Sequence, residues 1–402
     1  MKKITVYLLL LMQLLGCTIN NPEAPDNIPP NEVVLPGNEN NEPDDENIEQ
    51  EDEATLPVEE DKSLFREFEE EALILLDNMT IEEKIGQMFL ARCPENENLN
   101  LYLSMKPGGF IMFGRDFYEK TKEEVIENIN YYQNNSNIPM IIGVDEEGGT
   151  VVRVSSNPNL ADEPFKSPQE LFNIGGYEEI KRETIEKSKL LKSLGINLNL
   201  SPVADVSTDA EDFIFDRSFG KSAEETAKYV KVVVEAAKEN KISSTLKHFP
   251  GYGNNVDTHT DSAYDKRSYE QFLNNDFIPF KAGIDVDVES VLVSHNIVES
   301  IDVELPASLS KKTIDILRNY MEFTGIIMTD DLSMSAVSEF STIYPPEVMA
   351  VMAGNDMLIV SDFETAYNTL LSAVLNKDIV EERINESVLR IIKWKYYLDL
   401  IG

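Results

Sequence analysis

The chain has 402 residues, with 35 basic and 73 acidic side chains and a formal net charge of −38. This balance argues against nucleic-acid binding, which depends on neutralising phosphates with Lys and Arg. It also disfavours adsorption of a folded domain to an anionic membrane surface. The length allows one large α/β domain or two ordinary ones.

The first 17 residues have the pattern of a secretory signal. Lys2 and Lys3 precede an apolar run over residues 6–15, and Gly16-Cys17 follows it. The run is shorter than the ~20 residues that a membrane-spanning helix needs. The stretch LLGC resembles the bacterial lipobox, which implies that Cys17 is lipidated and becomes the mature N-terminus; an uncleaved anchor is the alternative. We therefore expect an extracytoplasmic protein, lipid-anchored to a bacterial cell membrane through Cys17 only.

Residues 18–62 differ in composition from the rest of the chain. They contain fifteen acidic residues, one basic residue and seven prolines. Such a segment buries too little apolar surface to offset its ordering entropy, so we predict a disordered, extended linker. Residues 63–402 then carry a net charge of −26, which favours a monomer. Cys93 is the one cysteine left in them, and we expect a buried structural thiol.

From residue 63 onward short apolar runs alternate with longer helical patterns. Capping boxes begin three of the helices, at Thr80, Ser167 and Ser222, and a closing helix is expected near residues 380–398. Continuous apolar strands between helices indicate a parallel sheet that is covered on both faces. Eight strands predict one (β/α)8 TIM-type barrel over residues 63–402, with a doubly wound open sheet as the alternative. The predicted strands are residues 87–91, 109–113, 140–144, 197–201, 243–247, 290–294, 325–329 and 356–360.

Polar residues follow most of these strands. In a barrel the carboxyl ends of the strands meet at one mouth, where the chemistry occurs. The polar residues placed there are Asp145, Lys247, His248, His295, Asp330, Asp331, Ser361 and Asp362. Two of the chain's three histidines are among them, so we expect a functional site at this mouth.

Asp330 and the pair Asp257/His259 are the residues most suited to catalysis. Asp330 directly follows a strand, and a rigid carboxylate there suits attack on an electrophilic carbon; a helix cap is its alternative role. Asp257 stands two residues before His259 in a Gly- and Asn-rich loop. A carboxylate beside an imidazole raises the proton affinity of the ring, as a general acid requires.

Two other chemistries use the same residues. His248, Asp257 and His259 are of types that bind zinc, but their spacing is irregular. Lys247 could form a Schiff base, but no neighbour in the sequence would lower its pKa. Binding a hydroxylated substrate is the better role for Lys247.

The chain resembles glycoside hydrolase family 3, in its β-N-acetylhexosaminidase branch. The resemblance runs in order over most of residues 79–361, through the segments MTIEEKIGQMF, GGFIMFGR, GVDEEGGTVVRV, NLNLSPVADV, DRSFG, LKHFPGYG, DTH, LVSHNIV, PASLS and GIIMTDDLSM.

The resemblance implies roles for individual residues. Asp330 would be the nucleophile, and Asp257 with His259 the acid/base dyad. The sugar-binding residues would be Asp145, Arg153, Arg217, Lys247 and His248, and we add His295 from its place after a strand.

Three positions depart from the family pattern. Tyr252 stands where the family commonly has His, and only residues 254–256 separate Gly253 from the dyad aspartate, one fewer than usual. Glu146 stands where Gln or His is usual.

These observations predict a retaining β-N-acetylhexosaminidase that removes terminal β-linked N-acetylglucosamine from peptidoglycan fragments or chito-oligosaccharides. The reaction requires no metal and no organic cofactor, and we expect neither. The alternatives are a related glycosidase or phosphorylase of other specificity, because His259 would not repel phosphate, and a non-catalytic glycan-binding lipoprotein.

Overall fold

Eight parallel strands form the central sheet of the structure, a computed structural model that describes residues 63–253, 264–334, 337, 340 and 344–402. The strand order around the sheet is β10-β1-β2-β3-β4-β5-β7-β9. A parallel bridge between Met328 and Met357 joins β9 to β10 and closes the ring. A separate parallel pair, β6 with β8, lies beyond the ends of β5 and β7. The strands are β1 (Phe89–Arg92), β2 (Gly109–Met112), β3 (Ile141–Val144), β4 (Leu198–Asn199), β5 (Ser243–Phe249), β6 (Tyr264–Asp265), β7 (Ser290–Val293), β8 (Ile297–Val298), β9 (Ile326–Thr329) and β10 (Leu358–Val360).

Helices alternate with these strands and surround the sheet. Short 3₁₀ turns cover Arg66–Phe68 and Ala307–Leu309, and single π-helical turns cover Phe272–Asp276 and Ile316–Tyr320. The α-helices are α1 (Glu69–Asp77), α2 (Ile81–Gln87), α3 (Asn96–Ser104), α4 (Gly114–Phe117), α5 (Lys122–Asn134), α6 (Pro168–Leu194), α7 (Ala223–Glu239), α8 (Tyr269–Gln271), α9 (Phe277–Ile284), α10 (Lys311–Asp315), α11 (Pro346–Ala353), α12 (Phe363–Leu375) and α13 (Glu381–Tyr397). None of the helices in the described ranges is long and apolar enough to cross a membrane.

The predicted barrel is confirmed. Each of the eight predicted runs overlaps one of its strands, with β1 ending one residue and β5 two residues beyond the predicted end, and each strand is buried along nearly its whole length. The capping boxes at Thr80 and Ser167 are complete, with the cap hydroxyl and the third-residue Glu exchanging hydrogen bonds with the backbone. At Ser222 the hydroxyl accepts from Glu225 N–H at 3.4 Å. The signal, the linker and Cys17 lie outside the described residues.

Cys93 has the structural role expected for it. Its side chain is buried, its Sγ lies 3.6 Å from the Tyr132 hydroxyl, and burial raises the pKa of the thiol to about 12. A thiol with such a pKa stays protonated and unreactive at neutral pH.

Asp356 anchors the C-terminal helix to the strand that completes the ring. Its buried carboxylate accepts from Arg390 at 3.1 Å and from the Ser387 hydroxyl at 2.9 Å, both on α13, and it also pairs with Arg318. The backbone N–H of Ile327 on β9 donates to it at 3.0 Å. This carboxylate therefore ties α13 and β9 to the start of β10. Removing one partner from a buried ion cluster of this kind lowers the free energy of unfolding by several kcal/mol.

Glu289 is a buried carboxyl at the amino end of β7. Ser244 N–H donates to its Oε2 at 3.0 Å, and burial raises the pKa of the carboxyl to about 7. In the unfolded chain the pKa of Glu is about 4.3. The folded protein therefore keeps a proton between pH ~4.3 and 7 that the unfolded chain has released, and stability falls as pH rises through this window.

Glu289→Gln should remove this pH-dependent loss, because the amide stays neutral. We expect the free energy of unfolding of the variant, minus that of the wild type, to increase from pH 5 to pH 8 by up to about 3 kcal/mol. Urea denaturation at the two pH values measures the difference. Exposed Glu299, changed to Gln, is the matched control and should show no such increase. An equal difference for Glu289→Gln at both pH values would contradict an ionisation cost at this position.

Candidate active site

A cavity of about 280 Å³ opens at the carboxyl ends of the barrel strands. It collects most of the residues that the sequence placed at the mouth. The residues that line it are Arg92, Ile111, Phe113, Asp145, Glu147, Val151, Arg153, Leu200, Arg217, Lys247, His248, Leu292, Asp330, Asp331, Met334 and Ile359.

A buried ammonium group holds one wall of this cavity together. Lys247, on β5, places Nζ 2.6 Å from Asp145 Oδ1 and 2.6 Å from Glu147 Oε1, both in the loop after β3. Burial by itself lowers the pKa of Lys247, but the two carboxylates outweigh burial and raise it above its usual value. The ammonium group therefore stays protonated at neutral pH, which suits hydrogen bonding to a hydroxylated ligand and not Schiff-base formation.

Arg217 and His248 extend this wall. Arg217 donates to Glu147 in a fork, at 3.0 Å from Nε and 2.8 Å from one terminal nitrogen. Burial opposes ionisation of Glu147, but Lys247 and Arg217 hold the pKa of its carboxyl far below the usual range. The same terminal nitrogen of Arg217 lies 3.1 Å from Nε2 of His248.

Asp205 fixes the orientation of His248. Its Oδ2 lies 2.7 Å from Nδ1 of the ring and accepts from the His248 backbone N–H at 3.1 Å, while its Oδ1 accepts from Tyr252 N–H at 2.8 Å. Because both ring nitrogens of His248 already have protein partners, the ring is poorly placed to bind a metal.

Asp330 lies at the end of β9, as the sequence predicted. Its backbone N–H donates to Val293 O at 2.9 Å, which fixes it to β7, and its half-buried side chain lines the cavity. Asp331 faces other partners, because its carboxylate accepts from Ser333 N–H at 3.0 Å and from the Ser361 hydroxyl at 2.5 Å.

Glu146, where the family usually has Gln or His, organises the loop that carries Arg153. Its fully buried carboxylate accepts from the N–H groups of Arg153 at 2.7 Å, Val154 at 2.6 Å and Ser155 at 3.2 Å, and from the Ser155 hydroxyl. A carboxylate with several backbone donors is stable when buried. The departure therefore affects a contact beneath the cavity, and Arg153 lines the cavity as predicted.

Two parts of the prediction have different outcomes. His295 does not line the cavity: its buried ring lies 2.7 Å from the Ser308 hydroxyl and 3.0 Å from Asp331 O. A side chain that follows a barrel strand can point into the cavity or into the packed interior, and that of His295 points into the interior.

Asp257 and His259 lie in residues 254–263, outside the described residues, and their roles stay predictions. Tyr252, just before them, is buried with its ring 5.1 Å from that of His248.

The sequence reasoning did not assign Glu147, Asp205 or Arg92. Glu147 and Asp205 stood inside the quoted segments GVDEEGGTVVRV and NLNLSPVADV, three and four residues after the ends of predicted strands. The sequence signal that could have identified them is an acidic residue shortly after one strand together with basic residues at the end of another strand of the same barrel. Arg92 ends β1, and only the closure of the ring brings it to the same mouth.

Comparison with known proteins identifies the family of the chain. Residues 80–394 match the family described as glycosyl hydrolase family 3 N terminal domain. A "Beta-hexosaminidase" of Nitrosomonas eutropha is 27% identical over 277 residues, which are 66% of this chain and 77% of that protein. One of Idiomarina loihiensis is 30% identical over 285 residues, 69% of this chain and 84% of that protein.

A solved structure shows the same architecture. A glycoside hydrolase family 3 β-N-acetylglucosaminidase from Paenibacillus superposes with a TM-score of 0.75 at 28% identity. The match covers 81% of this chain and 64% of that chain, so this chain spans less than two thirds of that protein. The barrel is that of a glycoside hydrolase. The chain belongs to glycosyl hydrolase family 3.

Proposed function

We propose that the protein is a retaining β-N-acetylhexosaminidase that removes terminal β-linked N-acetylglucosamine. The observation that carries the proposal is the position of Asp330. Its carboxylate stands at a rigid strand end, in the same cavity as a wall of Lys247, Arg217 and His248. That wall offers charged donors and acceptors at the scale of a sugar's hydroxyl groups. Two relatives named "Beta-hexosaminidase" support the choice of sugar.

The reaction would proceed in two displacements. Lys247, Asp145, His248, Arg217 and Arg153 would hold the sugar. An oxygen of Asp330 attacks the anomeric carbon, the glycosidic C–O bond breaks, and His259, oriented by Asp257, gives its proton to the departing oxygen. Water then loses a proton to His259 and attacks the same carbon, which releases Asp330 and retains the β configuration.

Peptidoglycan fragments and chito-oligosaccharides are the substrates that this reaction would serve. Both carry terminal β-linked N-acetylglucosamine. An extracytoplasmic position, proposed from residues 1–17, would give the enzyme access to either.

Asp330→Ala should abolish turnover, because the covalent intermediate cannot form. We expect kcat on a nitrophenyl N-acetyl-β-glucosaminide to fall by at least about 1000-fold, or roughly 4 kcal/mol in barrier. Asp331→Asn is the matched neighbour, since the Asp331 carboxylate is held by Ser333 and Ser361, and it should lose less than about tenfold. Near-full activity of Asp330→Ala would refute the nucleophile assignment.

His259→Ala should discriminate between leaving groups. A dinitrophenolate departs without protonation, whereas a sugar alkoxide needs it, so the loss of kcat/KM should be about 100-fold or more larger on a chito-oligosaccharide. His248→Gln is the matched control and should lose similarly on both, because His248 is proposed to hold the sugar in either case. Equal losses for His259→Ala on the two substrates would show that His259 is not the proton donor.

We further propose that Cys17 is lipidated and anchors the protein outside the cytoplasm. The signal pattern of residues 1–17 and the lipobox-like LLGC support this. In cells, Cys17→Ala should lose incorporation of a labelled fatty acid and leave the membrane fraction. Cys93→Ala, the control for the other cysteine, should keep both. Retention of the label in Cys17→Ala would overturn the anchor.

A further inference from the structure

Arg267 contacts the chain on both sides of residues 254–263. Its Nη2 donates to Gly251 O at 2.9 Å, before that range, and to Asp265 Oδ2 at 2.7 Å, after it. Its Nε donates to the same carboxylate oxygen at 2.9 Å. Asp265 is also held by a neighbouring strand, because it lies opposite Val298 in the β6–β8 pair. One guanidinium therefore links the described residues that flank this range.

A second carboxylate fixes the guanidinium itself. Nη1 of Arg267 donates to both oxygens of Asp276, at 2.8 and 2.9 Å, and its Cζ lies 4.3 Å from the centroid of the Phe272 ring. Phe272 and Asp276 begin and end a single π-helical turn, a feature that is frequent at functional sites. Both carboxylates, Asp265 and Asp276, are buried. Arg267 is therefore held in one position by forked hydrogen bonds and an aromatic face.

Two glycines of the stretch PGYG lie against this ion pair. A Cβ atom on Gly251 would lie 2.5 Å from Asp276 Oδ1, and one on Gly253 would overlap Arg267 Nη1. Both glycines have left-handed backbone conformations, with φ of +119° and +53°. The backbone that follows β5 therefore runs directly over the ion pair, and only glycine permits that approach.

We infer that Arg267 is a positioning residue for the proton donor; this rests on the proposed glycosidase function, in which His259 is that donor. A chain segment with both ends tied to one group samples fewer positions than one with independent ends. Proton transfer requires the donor within hydrogen-bond reach of the departing oxygen. Arg267 does not line the cavity, so it acts through residues 254–263 and not on the sugar.

The test compares Arg267→Gln with the wild type in the full chain, on two substrates. A dinitrophenyl N-acetyl-β-glucosaminide loses its leaving group without protonation, whereas a chito-oligosaccharide needs the donor. Because a misplacement of about 1 Å can cost about 100-fold in rate, kcat/KM should fall by about 10- to 100-fold more on the chito-oligosaccharide.

Arg267→Lys provides a second, milder variant. It keeps the charge between the two carboxylates but cannot donate to both of them and to Gly251 O in the same geometry. It should show the same dependence on the leaving group with a smaller loss, and it carries the test if Arg267→Gln does not fold. Thermal unfolding of each variant establishes that it is folded.

A double variant shows whether Arg267 acts through His259. In the background of His259→Ala, Arg267→Gln should cost less than about threefold more on the chito-oligosaccharide, because the group that it positions is already absent. Losses that multiply would show that the two residues act independently, and would overturn the inference.

Arg318→Gln is the control for loss of a buried guanidinium. Arg318 pairs with buried Asp356, donates to Gly325 O at 2.7 Å, and has its Cζ 5.7 Å from the centroid of the Phe323 ring. Gly325 directly precedes β9, so this arginine lies at the amino end of a strand, away from the mouth. Arg318→Gln should lower thermal stability and change kcat/KM by the same factor on both substrates.

The same pattern in Arg267→Gln, an equal loss on both substrates, would assign Arg267 to stability alone and refute its positioning role. The wild type tests the proposed function by itself. If it hydrolyses neither substrate, the proposed function fails; if it hydrolyses both and Arg267→Gln loses equally on them, only the present inference fails.

Discussion

The charge on Lys247 is the constraint on which the site depends. An ammonium group that is buried in a barrel would lose its proton unless anions met it, and Asp145 and Glu147 meet it from the neighbouring loop at 2.6 Å each. Glu147 in turn holds Arg217, whose terminal nitrogen reaches His248, and Asp205 fixes that ring from behind. The result is a continuous chain of alternating charges from the loop after β3 to β5. Any one member is costly to bury without the next, so the wall forms as a unit.

Two sides of the cavity, one with Lys247 and Arg217 and the other with Arg92 and Arg153, differ in how their positive charges are held. In the Lys247 wall every cation is met by a carboxylate, which gives a stiff surface of fixed donors and acceptors that exists before a ligand arrives. On the other side of the cavity Arg92 and Arg153 lie against the ring of Phe113 instead, and the Nε of each arginine is buried without a hydrogen-bond partner among the described residues. Asp330 lines the same cavity as both.

Much of the fold follows from local patterns in the sequence. Runs such as GFIMF and GIIMT are short, continuous and apolar, as is typical of strands that are buried on both faces. At Thr80 and Ser167 the cap residue stands three residues before a Glu, the spacing at which each side chain can hydrogen-bond to the other's backbone N–H. Residues at or just past the carboxyl ends of such strands, Asp145, Lys247 and Asp330, could therefore be placed at the mouth. His295 follows the same rule and faces the packed layer, because a side chain's direction depends on the local twist. Asp205 and Asp356 were not foreseen, since their importance comes from partners far away in the chain, and Arg92 was missed because only the closure of the ring brings it to the mouth.

The closure of the ring has a consequence for synthesis of the protein. β1 has β10 as one of its two neighbours, and α13 packs against α1 and α2, so the first and last elements of the barrel complete each other. A nascent chain from which β10 and α13 have not yet emerged has open sheet edges at β1 and β9 and lacks Arg390, one of the arginines that pair with Asp356. Contacts between such distant parts of a sequence form late. The barrel therefore remains open, and accessible to chaperones, until β10 and α13 have been made.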